Sequence, residues 1–520
     1  MAAGNKGGNA ERIPGMTSRF PDHLAAIDMG SNSFRLEIGE LSPGRYKRID
    51  YLKETVRLGG GLDKSGLLTE EATLRGLACL GRFAQRLEGY TGAQVRAVAT
   101  QTLREARNRD AFLVRAQSVL GLPIEVISGR EEARLIYAGV ARLQPSEEPR
   151  LVIDIGGRST EMILGQGRTP LRAESFQVGS VSLSMRYFAD GRFTEAAFRA
   201  AQVAAGAELE EALAPFAPQH WREALGSSGT AGAVSQLLQA SGISEDGAIT
   251  PEGLRWCIEQ CLKAGRIDKL NLPGLKEDRR AVIAGGLAIL YTLATHFGIE
   301  LLQPARGALR QGVIFDLDER LHAESRGGGG RGDAHDVRDA SVRELQRRFE
   351  VDTAQAERVA RVADALHAGA APQRSALQAR ELRWACALHE MGMMISHHDH
   401  HRHSAYVLGN VDAAGFSQSQ QRRLAELVLA QRGGLRKVEP QLENEDFALQ
   451  VLCLRLAIIK CHARGPVDPQ ALQLQVSGRQ ATLAFGEAWV QTHPRTLFLL
   501  NEEVEAWQRS NLLRLGLRQR

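Results

Sequence analysis

Aromatic side chains are scarce, at 5% of the 520 residues. Surfaces that stack single-stranded nucleic acid are built on them, so nucleic acid is a poor match as a partner. The six cysteines (Cys79, Cys257, Cys261, Cys386, Cys453 and Cys461) show no CxxC spacing. Cys257 and Cys261, four apart on a helical pattern, read as core. With no disulfide framework in view, the chain reads as a reduced, cytoplasmic protein. A large excess of one charge is missing too. The formal net charge is +4, which accommodates a polyanionic ligand without demanding one. The N-terminal stretch MAAGNKGGNAERIPGMTSR has no apolar run. It therefore reads as a disordered leader over 1–20, and neither as a signal peptide nor as a membrane span.

What the chain does have is an internal repeat. LAAIDMGSNSFRLEIG (24–39) is matched by LVIDIGGRSTEMILG (151–165). A shift of about 126 positions puts Asp28 on Asp154, Gly30 on Gly156, Ser33 on Ser159 and Gly39 on Gly165. Each copy reads as an apolar strand ending in Asp, a small polar turn and a second apolar strand, which is a hairpin pattern. Successive N–H groups around such a turn form a concave anion site. Ser31, Asn32, Ser33, Ser159 and Thr160 add side-chain donors there. Two copies predict two similar lobes with a cleft between them. The bland alternative is a pair of ordinary hairpins.

Charge separates the copies. With each hairpin centred on its turn, Asp154 lies opposite Glu161, while Asp28 lies opposite Arg35. Like charges facing each other across strands are destabilising. The acidic pair therefore calls for a cation, and a hard one such as Mg²⁺ suits carboxylates supplemented by water and phosphate oxygens. A one-residue slip in register would remove the argument.

Further along, Thr69 is placed to cap a helix running to about Glu88, and VRAVAT (95–100) is a buried strand. TQTLREARN then opens a helix whose N-terminus is itself an anion site, with Arg104 and Asn108 on one face. IEVISGREEARLIYAGV (124–140) reads as strand, turn at Gly129, and helix. Glu131 and Glu132 occupy its first turn, where the helix dipole favours acids. One of them is expected to point into the cleft and accept a proton from an attacking water. GSSGTAGAV (226–234) is a third such turn opening a helix, and Arg279 and Arg280 precede an apolar helix holding Gly285 and Gly286. Alternating strands and helices here argue for an α/β fold. RGGGGRGD (326–333) reads as a flexible linker. Helices rich in Ala, Arg and Leu follow; Arg343, Arg347 and Arg348, and later Arg422 and Arg423, form either a solvated face or a basic channel. LHEMGMMISHHDHHRHSAYVL (388–408) holds six of the fourteen histidines. The last segment reads as a helix (446–463), a hairpin turning at Ser477-Gly478 and a terminal helix from about Asn501.

Together, AIDMGSNSFRLEIGE, ATQTLREARN, VISGREEARLIYAGV, VIDIGGRSTEMILG, GSSGTAGAV and LPGLKEDRRAVIAGG resemble the exopolyphosphatase and guanosine pentaphosphate phosphohydrolase family, in family order over roughly residues 21 to 510. HRHSAYVLGNVDAAGFS is similar to the exopolyphosphatase branch. The resemblance implies two ribonuclease-H-like lobes of the actin, Hsp70 and sugar-kinase type (21–135 and 136–320). It also implies an HD-like helical domain (334–438), a small α+β domain (439–520) and a homodimer. The resemblance further implies that Glu132 is the catalytic base and that Asp154 and Glu161 hold the metal and orient water. The phosphate cradle it implies comprises Ser31, Asn32, Ser33, Arg104, Gly156, Gly157, Ser159 and Thr160. His389-Glu390 is similar to the HD metal pattern, with Glu where Asp belongs, which implies a domain that positions substrate without hydrolysing it. The family usually has three glycines where this chain reads Gly156-Gly157-Arg158. Arg158 is expected either to contact phosphate or to point outward and reshape the loop.

The expected activity is processive, Mg²⁺-dependent removal of the terminal phosphate of inorganic polyphosphate. Three rivals stand beside it: hydrolysis of guanosine pentaphosphate, an ATP-dependent kinase of the same superfamily, and a non-catalytic sensor of polyphosphate or guanosine tetraphosphate.

Overall fold

Strands β1 (His23–Met29), β2 (Phe34–Ser42) and β3 (Arg45–Glu54) form an antiparallel meander. Strands β4 (Val95–Ala99) and β5 (Ile124–Val126) add in parallel on the far side of β1, giving the order β3-β2-β1-β4-β5. The computed structural model describes residues 19–42, 45–325, 336–510 and 513–520. The expected leader, apart from Arg19 and Phe20, and the expected glycine-rich linker lie outside them. The chain divides into two compact units, Met1–Leu321 and His322–Arg520.

The first unit repeats its own plan. Strands β6 (Arg150–Ile155), β7 (Thr160–Gln166), β8 (Thr169–Phe176), β9 (Glu223–Ser227) and β10 (Gln303–Pro304) build a second sheet in the order β10-β9-β6-β7-β8. Its antiparallel and parallel pairings match those of the first sheet one for one. Even the irregularities are duplicated. The register shifts between Ile38 and Gly39 in one copy, and between Leu164 and Gly165 in the other. An aromatic ring fills the space at each glycine: a Cβ on Gly39 would lie 2.4 Å from the Tyr46 ring, and one on Gly165 2.2 Å from the Tyr137 ring. These are two ribonuclease-H-like lobes.

The lobe helices are α1 (Glu70–Arg86), α2 (Gln101–Glu105), α3 (Arg109–Leu120) and α4 (Gly129–Leu143) in the first stretch. They continue with α5 (Ser180–Tyr187), α6 (Glu195–Leu209), α7 (Ser228–Ala240), α8 (Pro251–Ala264), α9 (Glu277–His296) and α10 (Leu309–Ser325). Thr69 caps α1, accepting from Ala72 N as its sequence position predicts. The expected helix through Arg104 and Asn108 is broken instead. α2 ends at Glu105, and Asn108 turns away to pair with both backbone groups of Leu68. Glycine contacts close the lobes' shared layer: α4 meets α10 and the residues just before it backbone to backbone. A Cβ on Gly312 would lie 1.7 Å from the Leu135 carbonyl oxygen, and one on Gly307 2.2 Å from that of Gly139. Around this crossing lies a core common to both sheets, including Ala26 and Val98 from one and Val152 and Ile163 from the other.

The second unit is mostly helical: α11 (Val337–Arg348), α12 (Thr353–Ala370), α13 (Ala376–Leu388), α14 (His400–Asn410), α15 (Gln418–Ala430) and α16 (Glu445–Lys460). β11 (Gln473–Ser477) and β12 (Gln480–Phe485) form the expected hairpin, turning at Gly478 with a positive φ of 56°. After α17 (Glu487–Thr492), the terminal helix α18 begins at Pro494 rather than near Asn501, and runs to Ser510. A last strand that the sequence reading missed, β13 (Arg514–Gln519), lies parallel to β12. One hydrophobic core runs from Val342 to Leu515. All six cysteines are buried and free. Among the described residues, no helix is long and apolar enough to cross a membrane.

Candidate active site

The two hairpin turns face each other. A Cβ on Gly157 would come within 3.1 Å of the Ser31 Cβ and 3.6 Å of the Asn32 backbone nitrogen. Both turns have the same internal geometry: a Cβ on Gly30 or on Gly156 would stand 3.1 Å from the carbonyl oxygen of Ser33 or Ser159. The hairpin registers are those the charges predicted. Asp28 pairs with Arg35 across β1–β2, their side chains 3.3 Å apart. Asp154 pairs with Glu161 across β6–β7.

α4 supplies the third acid. Ser128 caps the helix, accepting from Glu131 N, and Gly129 is its first residue rather than a free turn. Both glutamates are buried, so neither merely decorates an exposed helix start. They diverge. Glu131 accepts both arms of Arg134 at 2.8 Å. Glu132 accepts Arg104 Nη1 at 2.8 Å and faces the other acids. Burial pushes its carboxyl up to about 7, with Asp154 and Asp28 adding to the rise and Arg104 opposing it. Burial pushes Asp154 up to about 6 against the nearby Ser227 and Ser228 hydroxyls and Arg35. Glu161 is raised well above the usual carboxylate range by burial, then by Glu132 and Asp154. Three buried acids, each raised first by burial and then by neighbouring carboxylates, are a site short of positive charge.

The acids fit a hard divalent cation. Among the described residues, no three His, Cys, Asp or Glu side chains form a closed ligand set. Mg²⁺ needs none, because one or two carboxylates completed by water and phosphate oxygens suffice. Asp154 and Glu161 would hold it.

The turns meanwhile leave donors unused. Among the described residues, Asn32 Nδ2 and Ser33 Oγ are buried with no hydrogen-bond partner. Ser31 Oγ accepts from Thr102 Oγ1 at 2.8 Å, so its own proton is free. Buried donors are rarely left unpaired without a reason. Thr160 is different from expectation: its hydroxyl donates to the Val178 carbonyl at 2.6 Å, so the side chain offers no donor to a ligand. Ser159 stands beside Glu161, where its hydroxyl favours the charged carboxylate. The carbonyls of Gly156 and Gly157 are taken by Ser180 N and Val181 N of α5.

Two arginines extend this picture. Arg158 does not point outward, the second of the two alternatives expected for it. It reaches across to the first lobe, where Nε and Nη2 donate to Glu105 Oε2 at 2.9 and 2.6 Å. Arg279, to which the sequence reading gave no role, lies against Gly229 at the start of α7, where a Cβ would meet its Nη2 at 2.0 Å. Burial and Arg35 both lower its pKa. Arg279 and Arg280 do not precede the apolar helix as expected but lie in its first turn, since α9 begins at Glu277, and only folding sets Arg279 beside Arg35.

A model of the Ppx/GppA phosphatase family matches residues 38–321, and a model of domain III of the same phosphatases matches residues 337–504. The chain belongs to the Ppx/GppA phosphatase family. As a Ppx/GppA phosphatase it is a hydrolase. An exopolyphosphatase from Cytophaga hutchinsonii is 26% identical, with a TM-score of 0.52 over 57% of this chain and 98% of its own. An exopolyphosphatase-like protein is 24% identical over 58% of this chain and 99% of its own, also with a TM-score of 0.52. The Ppx-GppA enzyme of Aquifex aeolicus is 25% identical over 56% and 98%, with a TM-score of 0.48.

In the second unit of this Ppx/GppA phosphatase, His389, Glu390 and His400 line a cavity of about 1220 Å³. Glu390 pairs with Arg464. His389 Nδ1 lies 2.7 Å from the Cys386 carbonyl oxygen, and burial pushes its pKa down to about 4, which keeps the ring neutral. Of the arginines read as a solvated face or a basic channel, Arg347 donates to Glu344 and Arg423 to Glu381.

Proposed function

We propose that this chain is an exopolyphosphatase that removes the terminal phosphate of long-chain inorganic polyphosphate processively and with Mg²⁺. The observation that carries the reading is the facing of two unlike sets: the buried acids Glu132, Asp154 and Glu161, and the unpartnered buried donors Asn32 Nδ2 and Ser33 Oγ. A terminal phosphoryl group needs both, donors for its equatorial oxygens and acids for the attacking water and a cation. A homodimer and a cytoplasmic location belong to the same proposal.

In this mechanism Ser31, Asn32 and Ser33 donate to the terminal phosphoryl oxygens. The remaining Arg104 Nη2 hydrogen and the backbone around Gly156 and Gly157 hold the other side. Mg²⁺, when bound by Asp154 and Glu161, supplies charge neutralisation for the phosphate oxygens. Glu132 accepts a proton from water as that water's oxygen bonds to the terminal phosphorus. The bond from phosphorus to the bridging oxygen breaks, and the shortened chain leaves with its electron pair. A base titrating near 7 is matched to this task at neutral pH. Most of the rate enhancement is then positioning and charge complementarity, and loss of one well-placed donor costs on the order of 10² to 10³ in turnover.

The test is orthophosphate release from long polyphosphate and, in parallel, from guanosine pentaphosphate, with Mg²⁺ and with chelator. Faster turnover of polyphosphate, without intermediate lengths on a gel, supports the reading. Preference for guanosine pentaphosphate, or binding without release, refutes it. Glu132→Gln should bind polyphosphate and release no phosphate; release at the parent rate overturns the choice of base.

A further inference from the structure

Arg158 begins an unbroken run of hydrogen bonds that ends on Glu132. Its guanidinium, carried by the second lobe's turn, donates to Glu105 Oε2 of α2 at 2.9 and 2.6 Å. The other oxygen of the same carboxylate, Oε1, accepts Gln101 Nε2 at 2.6 Å. Gln101 Oε1 accepts both Nε and Nη2 of Arg104, at 2.9 and 2.6 Å. Arg104 Nη1 donates to Glu132 Oε2 at 2.8 Å. No link duplicates another. The Gln101 amide cannot be turned over, because Arg104 only donates and Glu105 only accepts.

We propose that Arg158 is a positioning residue: acting through Glu105 and Gln101, it fixes the Arg104 guanidinium and with it the carboxylate of Glu132, and it does so only while the two lobes are closed on each other. The proposal rests on the reading of Glu132 as the base. Arg158 comes from one lobe, and Glu105, Gln101 and Arg104 from the other, so parting the lobes removes the first link. α2 is a single turn of five residues, too short to hold its own side chains. Without Arg158, Glu105 is a half-exposed acid with one partner. Gln101 is then free to turn, and the Arg104 fork loses the acceptor of its Nε and Nη2, keeping besides Glu132 only the Ile127 carbonyl oxygen, which takes Nη1 at 3.0 Å. Arg158 has little left for substrate, since its third contact is the Gly59 carbonyl oxygen at 3.4 Å.

The experiment combines crystal structures of the metal-free full chain, parent and Arg158→Ala, with steady-state phosphate release. In Arg158→Ala the Arg104 guanidinium should leave the Gln101 amide oxygen, and the 2.8 Å contact of Arg104 Nη1 with Glu132 Oε2 should be lost. The same variant should lower kcat about tenfold while KM stays within about twofold. Arg158→Lys should recover part of both effects. Glu105→Gln should reproduce them, and the double variant should be no worse than the worse single one, as members of one chain require. An Arg104 and a Glu132 that stay in place in Arg158→Ala overturn the proposal, as do losses that multiply in the double variant or fall on KM alone. If the parent releases phosphate from neither substrate, the function reading fails while the structures still decide whether Arg158 positions Glu132.

Discussion

Replacing Glu132 with Gln should make the metal-free protein more stable at alkaline pH, relative to the parent, and not at acidic pH. A carboxyl whose folded pKa lies above its unfolded one destabilises the fold as it ionises. Here the ordinary value is 4.5 and the folded value about 7. The penalty is absent below the first, grows between them and is complete above the second. At about 1.4 kcal/mol per pH unit the whole rise is worth roughly 3 kcal/mol, of which roughly 2 kcal/mol accrues between pH ~5.5 and ~8.5. Gln cannot ionise, so it keeps that amount. Its carbonyl can still accept from Arg104, which makes any packing cost a constant offset at both pH values. Glu161, relieved of one neighbouring charge, shifts the balance in the same direction. For the two-lobe unit, 2 kcal/mol is on the order of 3 °C in Tm. The assay is thermal unfolding of parent and variant in chelator at both pH values. A Tm difference that stays flat, or that moves against the variant as pH rises, refutes the account of three acids crowded in a dry site.

Asp154→Asn and Glu161→Gln should each abolish the rise in Tm that Mg²⁺ gives the parent at pH ~8.5, read by the same thermal scans. Between pH ~5 and ~8, kcat for phosphate release should fall as pH drops, because protonated Glu132 cannot accept the water's proton, with a midpoint below the metal-free value of about 7 since bound Mg²⁺ favours the carboxylate. Gly165→Ala should destabilise by about 1–3 kcal/mol, since the new Cβ meets the Tyr137 ring, and Tyr137→Leu should recover part of that loss in urea unfolding.

How much of this was legible in the sequence differs from place to place. The hairpin registers were, because the repeat and the signs of Asp28, Arg35, Asp154 and Glu161 together leave one pairing that makes sense for both copies. The burial of both Glu131 and Glu132 was not: a helix start rich in acids looks the same whether it faces solvent or a cleft. Which glutamate turns inward depended on Arg104 and Arg134, partners that only folding brings close. The break after Glu105 was hidden because nothing in TQTLREARN stops a helix; Asn108 is drawn off by the Leu68 backbone, forty residues away in sequence. Arg158 was recognisable as a departure, but its partner lies 53 residues away in the other lobe. Thr160 looked like a donor by residue type, and its hydroxyl had already been claimed by Val178. β13 is short and half-exposed, so neither alternation nor length announced it.

The crossing of α4 and α10 has a mechanical consequence. Where two helices are separated by large side chains, they can slide, because the side chains change rotamer as they pass. At Gly139, Gly307 and Gly312 there is nothing to change: main chain lies on main chain. Sliding there would drive main-chain atoms into one another. Any side chain larger than a hydrogen at these positions would wedge the two segments apart, and with them the core that both sheets share.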